Sequence, residues 1–358
     1  MNLKKYFVTL FPKSNILFTN GGRAALQAIV EDFKLQNSKM ILPSYICSSV
    51  FSTLLVQNNI QPILVDCPKN EFNISFLDIK KSIKIEKNVK SLVLVHSYGL
   101  INKDAEKISK FCQENDIVLI EDCAHCIGIQ KNGKYAGTFG DASIFSFPKT
   151  LNLPFGGAYV KNNGRIRIKS KGYRLNSVDT LGIVKKIPLT SKIIKFLKFL
   201  GTKKIVNPSE ISKIEILPLP RFINSFSKNQ VDFNRRKEVT EYFYKNLKEK
   251  ILQNLSKLEF ENNFFHSIPI LVENRDEIFL KLLENKIPCD RMWTDPLHLN
   301  KKVISKWKTR KCPNAEFFSK KIINILINPK WEKEQIEKQV ETIFKIVNSL
   351  HNPQSLSL

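Results

Sequence analysis

The first half of the sequence alternates short apolar runs with longer stretches of helical character. The predicted helices cover 21–33, 48–57, 76–85 and 103–115, and the predicted strands cover 40–42, 62–66, 91–95 and 117–120. Strands that alternate with helices form a mostly parallel sheet, and such sheets bind their ligands at the carboxyl ends of the strands. The predicted fold class is therefore α/β.

Two charged residues follow apolar strands in the run 118–160. Asp122 lies at the end of one strand, and Lys149 lies just beyond the predicted strand 142–147. Pyridoxal phosphate (PLP) chemistry requires a carboxylate that keeps the ring nitrogen protonated and a lysine amine that holds the aldehyde. Either residue alone also fits a turn cap or a surface lysine. The pair, together with the sequence motifs around it, favours a PLP site.

Those motifs resemble the motifs of the DegT-type sugar aminotransferases, a branch of the fold-type I PLP enzymes. The match extends in order over about the first 160 residues and more weakly through the Arg235-Arg236 helix to the C-terminus. Its words are Gly22-Arg23-Ala24-Ala25-Leu26, Leu42-Pro43-Ser44-Tyr45, Ile63-Leu64-Val65-Asp66, Val95-His96-Ser97-Tyr98-Gly99, Glu121-Asp122-Cys123-Ala124-His125, Gly137-Thr138-Phe139-Gly140-Asp141-Ala142, Phe145-Ser146-Phe147, Lys149-x-Leu151 and Gly156-Gly157.

The resemblance implies a large PLP-binding domain with a mostly parallel sheet and a smaller C-terminal α/β domain. We place the two domains at 1–220 and 221–358, since Pro208, Pro218 and Pro220 mark an irregular connection. The implied activity is transfer of an amino group, with glutamate as the expected donor, to a nucleotide-linked keto-sugar in surface polysaccharide or glycan biosynthesis.

The resemblance also implies roles for single residues around the ring of the coenzyme. Lys149 matches the lysine that holds the coenzyme, and Asp122 matches the partner of the pyridinium nitrogen. His125, three residues farther on, matches the residue whose side chain meets the ring hydroxyl. For each residue a cap, a turn or a packed core position is the alternative.

Three further residues match the phosphate site of the family. Gly22 and Arg23 open a predicted helix, whose first N–H groups bind anions. Arg23 stands where the family commonly has threonine, so its side chain either adds a contact to the phosphate or points away. Ser146 matches a serine whose hydroxyl binds the same group.

The sequence departs from the common family pattern at several positions. Only two residues separate Ser146 from Lys149, and Phe155 stands where glutamate is frequent. Cys47 occupies the position of the aromatic residue that usually stacks on the coenzyme ring. Tyr45 is the alternative stacking residue. These differences indicate a variant subgroup.

Composition predicts a cytoplasmic protein. No run approaches the roughly 18 apolar residues of a membrane span, and the seven cysteines form an odd set typical of reduced thiols. The Cys123-x-x-Cys126 pair lacks the second ligand pair that zinc normally requires, so no metal site is predicted. The net charge of +24 is spread along the chain without a nucleic-acid-binding motif and predicts no specific nucleic acid partner.

The basic segment 185–204 contains an amphipathic stretch, 191–200, with one apolar arc and a lysine face. Such a stretch either packs on its own protein or lies on an anionic membrane surface. The packing interpretation is favoured, and peripheral membrane contact remains a side hypothesis.

Three functions remain open from the sequence. The first is transamination, and the second is PLP-dependent dehydration of a sugar. Lysine at position 149 favours the first, because histidine replaces it in the related sugar dehydratases. The third is a non-catalytic PLP-fold module that docks on a membrane or a protein partner. A homodimer is expected, with Arg174, Asn176 and Arg221 as residues that could reach a neighbouring site.

Overall fold

The structure is a computed structural model, and it describes residues 3–151, 153, 156–168, 171–172, 215–216, 233–247 and 266–351. The boundary between 220 and 221, the basic segment 185–204 and residues Phe155, Arg174, Asn176 and Arg221 lie outside the described residues. The domain boundary therefore stays a prediction.

The N-terminal part of the chain alternates helices and strands as the sequence predicts. Its helices are α1 (Leu3–Leu10), α2 (Gly22–Asp32), α3 (Ser48–Gln57), α4 (Phe76–Ile85), α5 (Ala105–Glu114) and α6 (Phe147–Thr150). Its strands are β1 (Asn15–Thr19), β2 (Lys39–Pro43), β3 (Gln61–Val65), β4 (Val89–Val95), β5 (Val118–Asp122), β6 (Gln130–Lys131), β7 (Lys134–Tyr135), β8 (Ala142–Ser146), β9 (Gly157–Lys161), β10 (Lys171–Gly172) and β11 (Glu215–Ile216).

Nine described strands form one sheet in the order β10-β11-β1-β9-β8-β5-β4-β2-β3. Strands β3, β2, β4, β5 and β8 are parallel neighbours, whereas β9 pairs antiparallel with both β8 and β1. The prediction of a mostly parallel α/β sheet is confirmed. Its antiparallel side, with β1 and β9, was not predicted, because periodicity identifies a strand without identifying its partner.

The C-terminal part builds a second, three-stranded sheet in the order β12-β14-β13. Its strands are β12 (Ser267–Leu271), β13 (Cys289–Asp290) and β14 (Ile322–Leu326), and its helices are α7 (Phe233–Leu247), α8 (Arg275–Glu284), α9 (Lys301–Ile304), α10 (Pro313–Lys321) and α11 (Lys333–His351). The apolar faces of α7 and α11 pack on each other, with Val239, Phe243, Ile343 and Val347 buried. The expected smaller α/β unit is thus present.

Helix α1 anchors the strand that leads to the candidate lysine. Its Phe7 ring packs on Phe145 at 5.5 Å and on Phe147 at 5.6 Å between ring centroids, and Phe18 of β1 joins the same cluster. Such aromatic pairs stabilise a core by about 0.5–1.5 kcal/mol each beyond the area they bury. Because Phe145 and Phe147 flank Ser146, this cluster fixes the end of β8.

The two sheets are joined at the carboxyl ends of β2 and β3. Asp66, directly after β3, accepts hydrogen bonds from the backbone N–H groups of Asn314 and Ala315, 2.9 and 2.8 Å away, and so caps α10. Ser44, directly after β2, shares a 2.7 Å hydrogen bond with His298 Nδ1. The C-terminal unit is therefore fixed above the edge where ligands of parallel sheets bind.

Candidate active site

Asp122 is the last residue of β5 and lies at the carboxyl edge of the sheet. In the register of the ladders it stands opposite Val95 of β4 and Ile144 of β8. Its Oδ1 accepts a hydrogen bond from the Ala124 N–H at 3.0 Å, and no described residue donates to Oδ2. Burial raises the pKa of Asp122, while the Ala124 N–H, His96 and Lys149 act in the opposite direction. One carboxylate oxygen is therefore available for a ring N–H.

His125 follows Asp122 by three residues and is only 6% exposed. Its Nδ1 accepts a hydrogen bond from the Tyr98 N–H at 3.3 Å, which leaves the ring proton on Nε2. Burial lowers the pKa of His125 well below its ordinary value, and His266 and Lys149 lower it further. At neutral pH the residue is thus a neutral imidazole with one N–H to donate.

Lys149 lies on the short helix α6, directly after β8, and its side chain is exposed. No described residue forms an ion pair or hydrogen bond with its amine. Its positive charge nevertheless lowers the pKa of both Asp122 and His125. The structure therefore places the Lys149 amine close enough to the Asp122 carboxylate and the His125 imidazole to act on both.

Helix α2 begins beside the end of β8. A Cβ placed on Gly22 would lie 3.6 Å from the Ser146 Cβ, so the first turn of α2 and the Ser146 side chain are neighbours. The first N–H groups of a helix lack partners within the helix and carry its partial positive charge. Arg23 is half-buried in this turn. The arrangement provides the elements of an anion site.

Gly157 of β9 allows this close approach. A Cβ at this position would lie 2.5 Å from the Phe145 carbonyl oxygen and 2.7 Å from the Gly22 nitrogen, and both are backbone atoms that cannot turn aside. By contrast, a Cβ on Gly21 would meet no atom within 4 Å.

We expect Gly157→Ala to push α2 away from β8. The free energy of unfolding should fall by about 1–3 kcal/mol through overpacking. If the first turn of α2 holds the phosphate of PLP as the sequence predicts, PLP should also bind more weakly. Chemical denaturation and an absorbance titration with PLP measure the two effects. Gly21→Ala is the matched control, and equal behaviour of the two variants would contradict this role of Gly157.

Tyr45 lies after β2 and is completely buried. Its hydroxyl shares a 2.6 Å hydrogen bond with that of Tyr98, and its ring meets Trp293 edge-on, with 5.1 Å between centroids and 80° between planes. Cys47, two residues farther on, begins α3 as its N-cap residue. The stacking role of Tyr45 stays a prediction, although the ring is already enclosed by other side chains.

Sequence reasoning missed the aromatic residues that surround His125. The His266 imidazole stacks on it at 4.6 Å, and Tyr98 and Trp293 lie nearly parallel to it at 6.3 and 6.0 Å. Tyr98 belongs to the Ser97-Tyr98-Gly99 word and could have been selected from it. His266 and Trp293 come from the C-terminal unit, and no local pattern linked them to this site.

Glu121, the residue before Asp122, and His96 are buried and hydrogen-bonded to each other. Glu121 accepts hydrogen bonds from the backbone N–H groups of Gly137, Phe139 and Gly140 and from His96 Nε2 at 2.6–2.9 Å. His96 Nδ1 accepts from the Asn102 N–H, so both side chains are saturated by protein groups. Although Cys123 lies close enough to complete a set of metal ligands, these contacts explain the cluster as a support for the loop after β5.

Comparisons with known proteins give one consistent result. The model of the family described as "DegT/DnrJ/EryC1/StrS aminotransferase family" matches residues 2–202 and 223–344. A dTDP-3-amino-3,6-dideoxy-alpha-D-galactopyranose transaminase of Aneurinibacillus thermoaerophilus is 27% identical over 328 residues, which cover 90% of this chain and 83% of the relative.

Solved structures share the fold at low sequence identity. A DegT DnrJ EryC1 StrS aminotransferase from Brucella abortus superposes with a TM-score of 0.71 at 17% identity, covering 96% of this chain and 88% of the other. An E. coli GDP-4-keto-6-deoxy-D-mannose-3-dehydratase with bound hydrated PLP gives a TM-score of 0.70 at 19% identity, covering 95% and 91%. At these identities the likeness shows the fold.

Proposed function

Because this chain belongs to the DegT/DnrJ/EryC1/StrS aminotransferase family, we propose that it is a PLP-dependent enzyme that transfers an amino group to a nucleotide-linked keto-sugar. The observation that carries the proposal is the position of Lys149 on the short helix directly after β8, whose neighbour β5 ends at Asp122 on the same edge of the sheet. The charge of Lys149 accordingly lowers the pKa of both Asp122 and His125. Glutamate is the proposed amino donor.

The residues at this edge fit PLP. Asp122 offers a carboxylate oxygen for the ring nitrogen, His125 offers an N–H for the ring hydroxyl, and Lys149 offers an amine for the aldehyde. The first turn of α2 beside Ser146 offers N–H groups for the phosphate. When bound, PLP supplies an electron sink that stabilises negative charge at the carbon next to the amino group.

Each residue then has a definite task. The negative charge of Asp122 holds the proton on the ring nitrogen, and burial strengthens this interaction because water screens it less. His125 fixes the ring orientation through its Nε2–H. The Lys149 amine would hold the aldehyde of the coenzyme, and as a free amine it would accept and return a proton at the substrate carbon.

Transamination is favoured over dehydration by the residue at position 149. The sugar dehydratases related to this family carry histidine at this point, and this chain carries lysine. The E. coli dehydratase shares the fold with this chain at 19% identity, as do the aminotransferases, so fold likeness leaves the choice to this residue.

A panel of nucleotide-linked keto-sugars incubated with the protein, PLP and glutamate tests the function by mass spectrometry. We expect one acceptor to gain an amino group in place of its keto oxygen while glutamate becomes 2-oxoglutarate. Loss of water from the sugar instead would support the dehydratase. A colourless protein that pellets with anionic vesicles would support the non-catalytic module.

The proposed setting is the cytoplasm, where nucleotide-linked sugars are substrates for glycan biosynthesis. Across the described helices, none combines the length and apolar character needed to cross a bilayer. The excess of positive charge, +24, favours capture of an anionic nucleotide-sugar. Contact of 191–200 with a membrane surface stays a side hypothesis.

We further expect a homodimer in solution, since cyclic dimers are the commonest closed assemblies of soluble chains. Light scattering of the coenzyme-loaded protein should give twice the mass of one chain, and dilution that dissociates the dimer should abolish activity. A monomer with full turnover would contradict a site shared between subunits.

A further inference from the structure

Four flat rings gather where the C-terminal unit meets the carboxyl edge of the large sheet. Trp293 lies 5.0 Å from Tyr98 with 25° between ring planes, and 6.0 Å from His125 with only 8° between planes. His266 continues the series on His125 at 21°. The planes of Trp293 and His125 are thus nearly parallel.

The backbone at this assembly is held in an uncommon conformation. Trp293 has φ +58° and Tyr98 has φ +59°, a left-handed region that large side chains rarely adopt. Such positions cost about 1–3 kcal/mol each and concentrate at functional sites. Tyr98 and Trp293, which come from different units of the chain and stack on each other, both carry this conformational cost.

Neighbouring groups fix the orientation of the indole. The Met292 N–H donates to Asn324 Oδ1 at 3.1 Å, which ties the loop after β13 to β14. The edge-on contact with Tyr45 supports one side of the ring. The His266 N–H donates to the Tyr98 carbonyl oxygen at 2.8 Å, which joins β12 to the segment after β4. The indole is therefore held rigidly from both units.

Exposure distinguishes Trp293 from the other two aromatic candidates. Tyr45 and Tyr98 are completely buried, so neither can offer a ring face without repacking the core. Trp293 is half-buried and retains open surface. A pyridine ring bound between Asp122 and His125 is flat and apolar on its faces, and such a ring gains from an aromatic partner.

We propose that Trp293, from the C-terminal unit, supplies the aromatic face on which the coenzyme ring stacks. Cys47, at the position where the resembling family usually has that aromatic residue, offers no ring. This inference rests on the proposed function, because it requires PLP to bind at Asp122 and Lys149. It assigns the stacking surface to a residue far from the motifs of the large domain.

Tryptophan fluorescence of the coenzyme-free protein, titrated with PLP, tests the proposal. The chain has three tryptophans, and bound PLP quenches those near it by energy transfer. Trp307 packs against the Lys306 amine and Trp331 stacks on Phe243, so W307F and W331F are matched controls. We expect W293F to remove most of the PLP-dependent quenching and the two controls to retain it.

Affinity provides the second readout. W293L should weaken PLP binding, followed by the absorbance of the bound coenzyme, about three- to tenfold through loss of the aromatic contact. W293F keeps an aromatic face and should bind nearly as tightly as the unchanged protein. A thermal unfolding curve for each variant shows that the chain remains folded.

The outcomes separate failure of this inference from failure of the proposed function. Suppose that the unchanged protein binds PLP, that W293L binds it equally well, and that W293F retains the full PLP-dependent quenching. The quenching then comes from Trp307 or Trp331, and Trp293 is not the stacking residue. If the unchanged protein and every variant fail to bind PLP, the proposed function itself is wrong.

Discussion

Lys149→Ala is expected to abolish amino transfer and covalent attachment of PLP while the protein stays folded. In the proposed mechanism this residue accepts and returns the proton at the substrate carbon, a contribution typically worth about 10²–10⁴-fold in rate, and it also holds the coenzyme. Its side chain is exposed and forms no ion pair with a described residue, so the free energy of unfolding should change by no more than about 0.5 kcal/mol.

Borohydride reduction followed by peptide mapping is the decisive measurement. In the unchanged protein the reduced coenzyme should remain on the peptide that contains Lys149, and in the variant no peptide should carry it. Lys13→Ala is a suitable control, because Lys13 is also exposed and lies between α1 and β1. A label on a different lysine would show that the assignment is incorrect.

Asp122→Asn is expected to reduce turnover about a hundredfold or more while PLP is still retained. An amide has nearly the shape of a carboxylate and can still accept from the Ala124 N–H, but it carries no charge to keep the ring nitrogen protonated. Steady-state kinetics with a verified sugar acceptor measure the first effect, and the absorbance of the bound coenzyme measures the second. Near-normal turnover would exclude Asp122 as the pyridinium partner.

The same substitution should not destabilise the coenzyme-free protein at neutral pH. Burial raises the pKa of Asp122 in the folded state above its unfolded value, so the folded state binds the proton more tightly. The stability from this group is then fully present below the unfolded pKa and is lost as the pH rises through the folded pKa. Since asparagine carries no charge, Asp122→Asn removes this cost, and its melting temperature should equal or exceed that of the unchanged protein.

This opposition of stability and activity separates Asp122 from its neighbour Glu121. The Glu121 carboxylate is saturated by backbone N–H groups and His96, which is the arrangement of a structural residue. Asp122 keeps an oxygen without a donor among the described residues and costs stability when charged. Active sites commonly carry such costs, because their charges are arranged for the ligand.

The sequence alone determined the local features of the site. Apolar runs of strand length and helical periodicity report whether a segment is buried, so they placed β2, β3, β4, β5 and their intervening helices close to their observed bounds. Parallel strands expose their carboxyl ends at one edge, and this rule predicts that Asp122 and Lys149 lie near each other. The motifs that resemble the family added His125, Ser146 and the first turn of α2 to the predicted site.

Tertiary structure decided which distant segments complete the site. The antiparallel pairing of β9 with β1 and β8, the capping of α10 by Asp66, and the approach of His266 and Trp293 to His125 all join residues far apart in the chain. A local pattern shows that a side chain is buried, but it does not show which distant surface covers it. That choice depends on the packing of both units at the edge of the sheet, and it is made only when the whole chain folds.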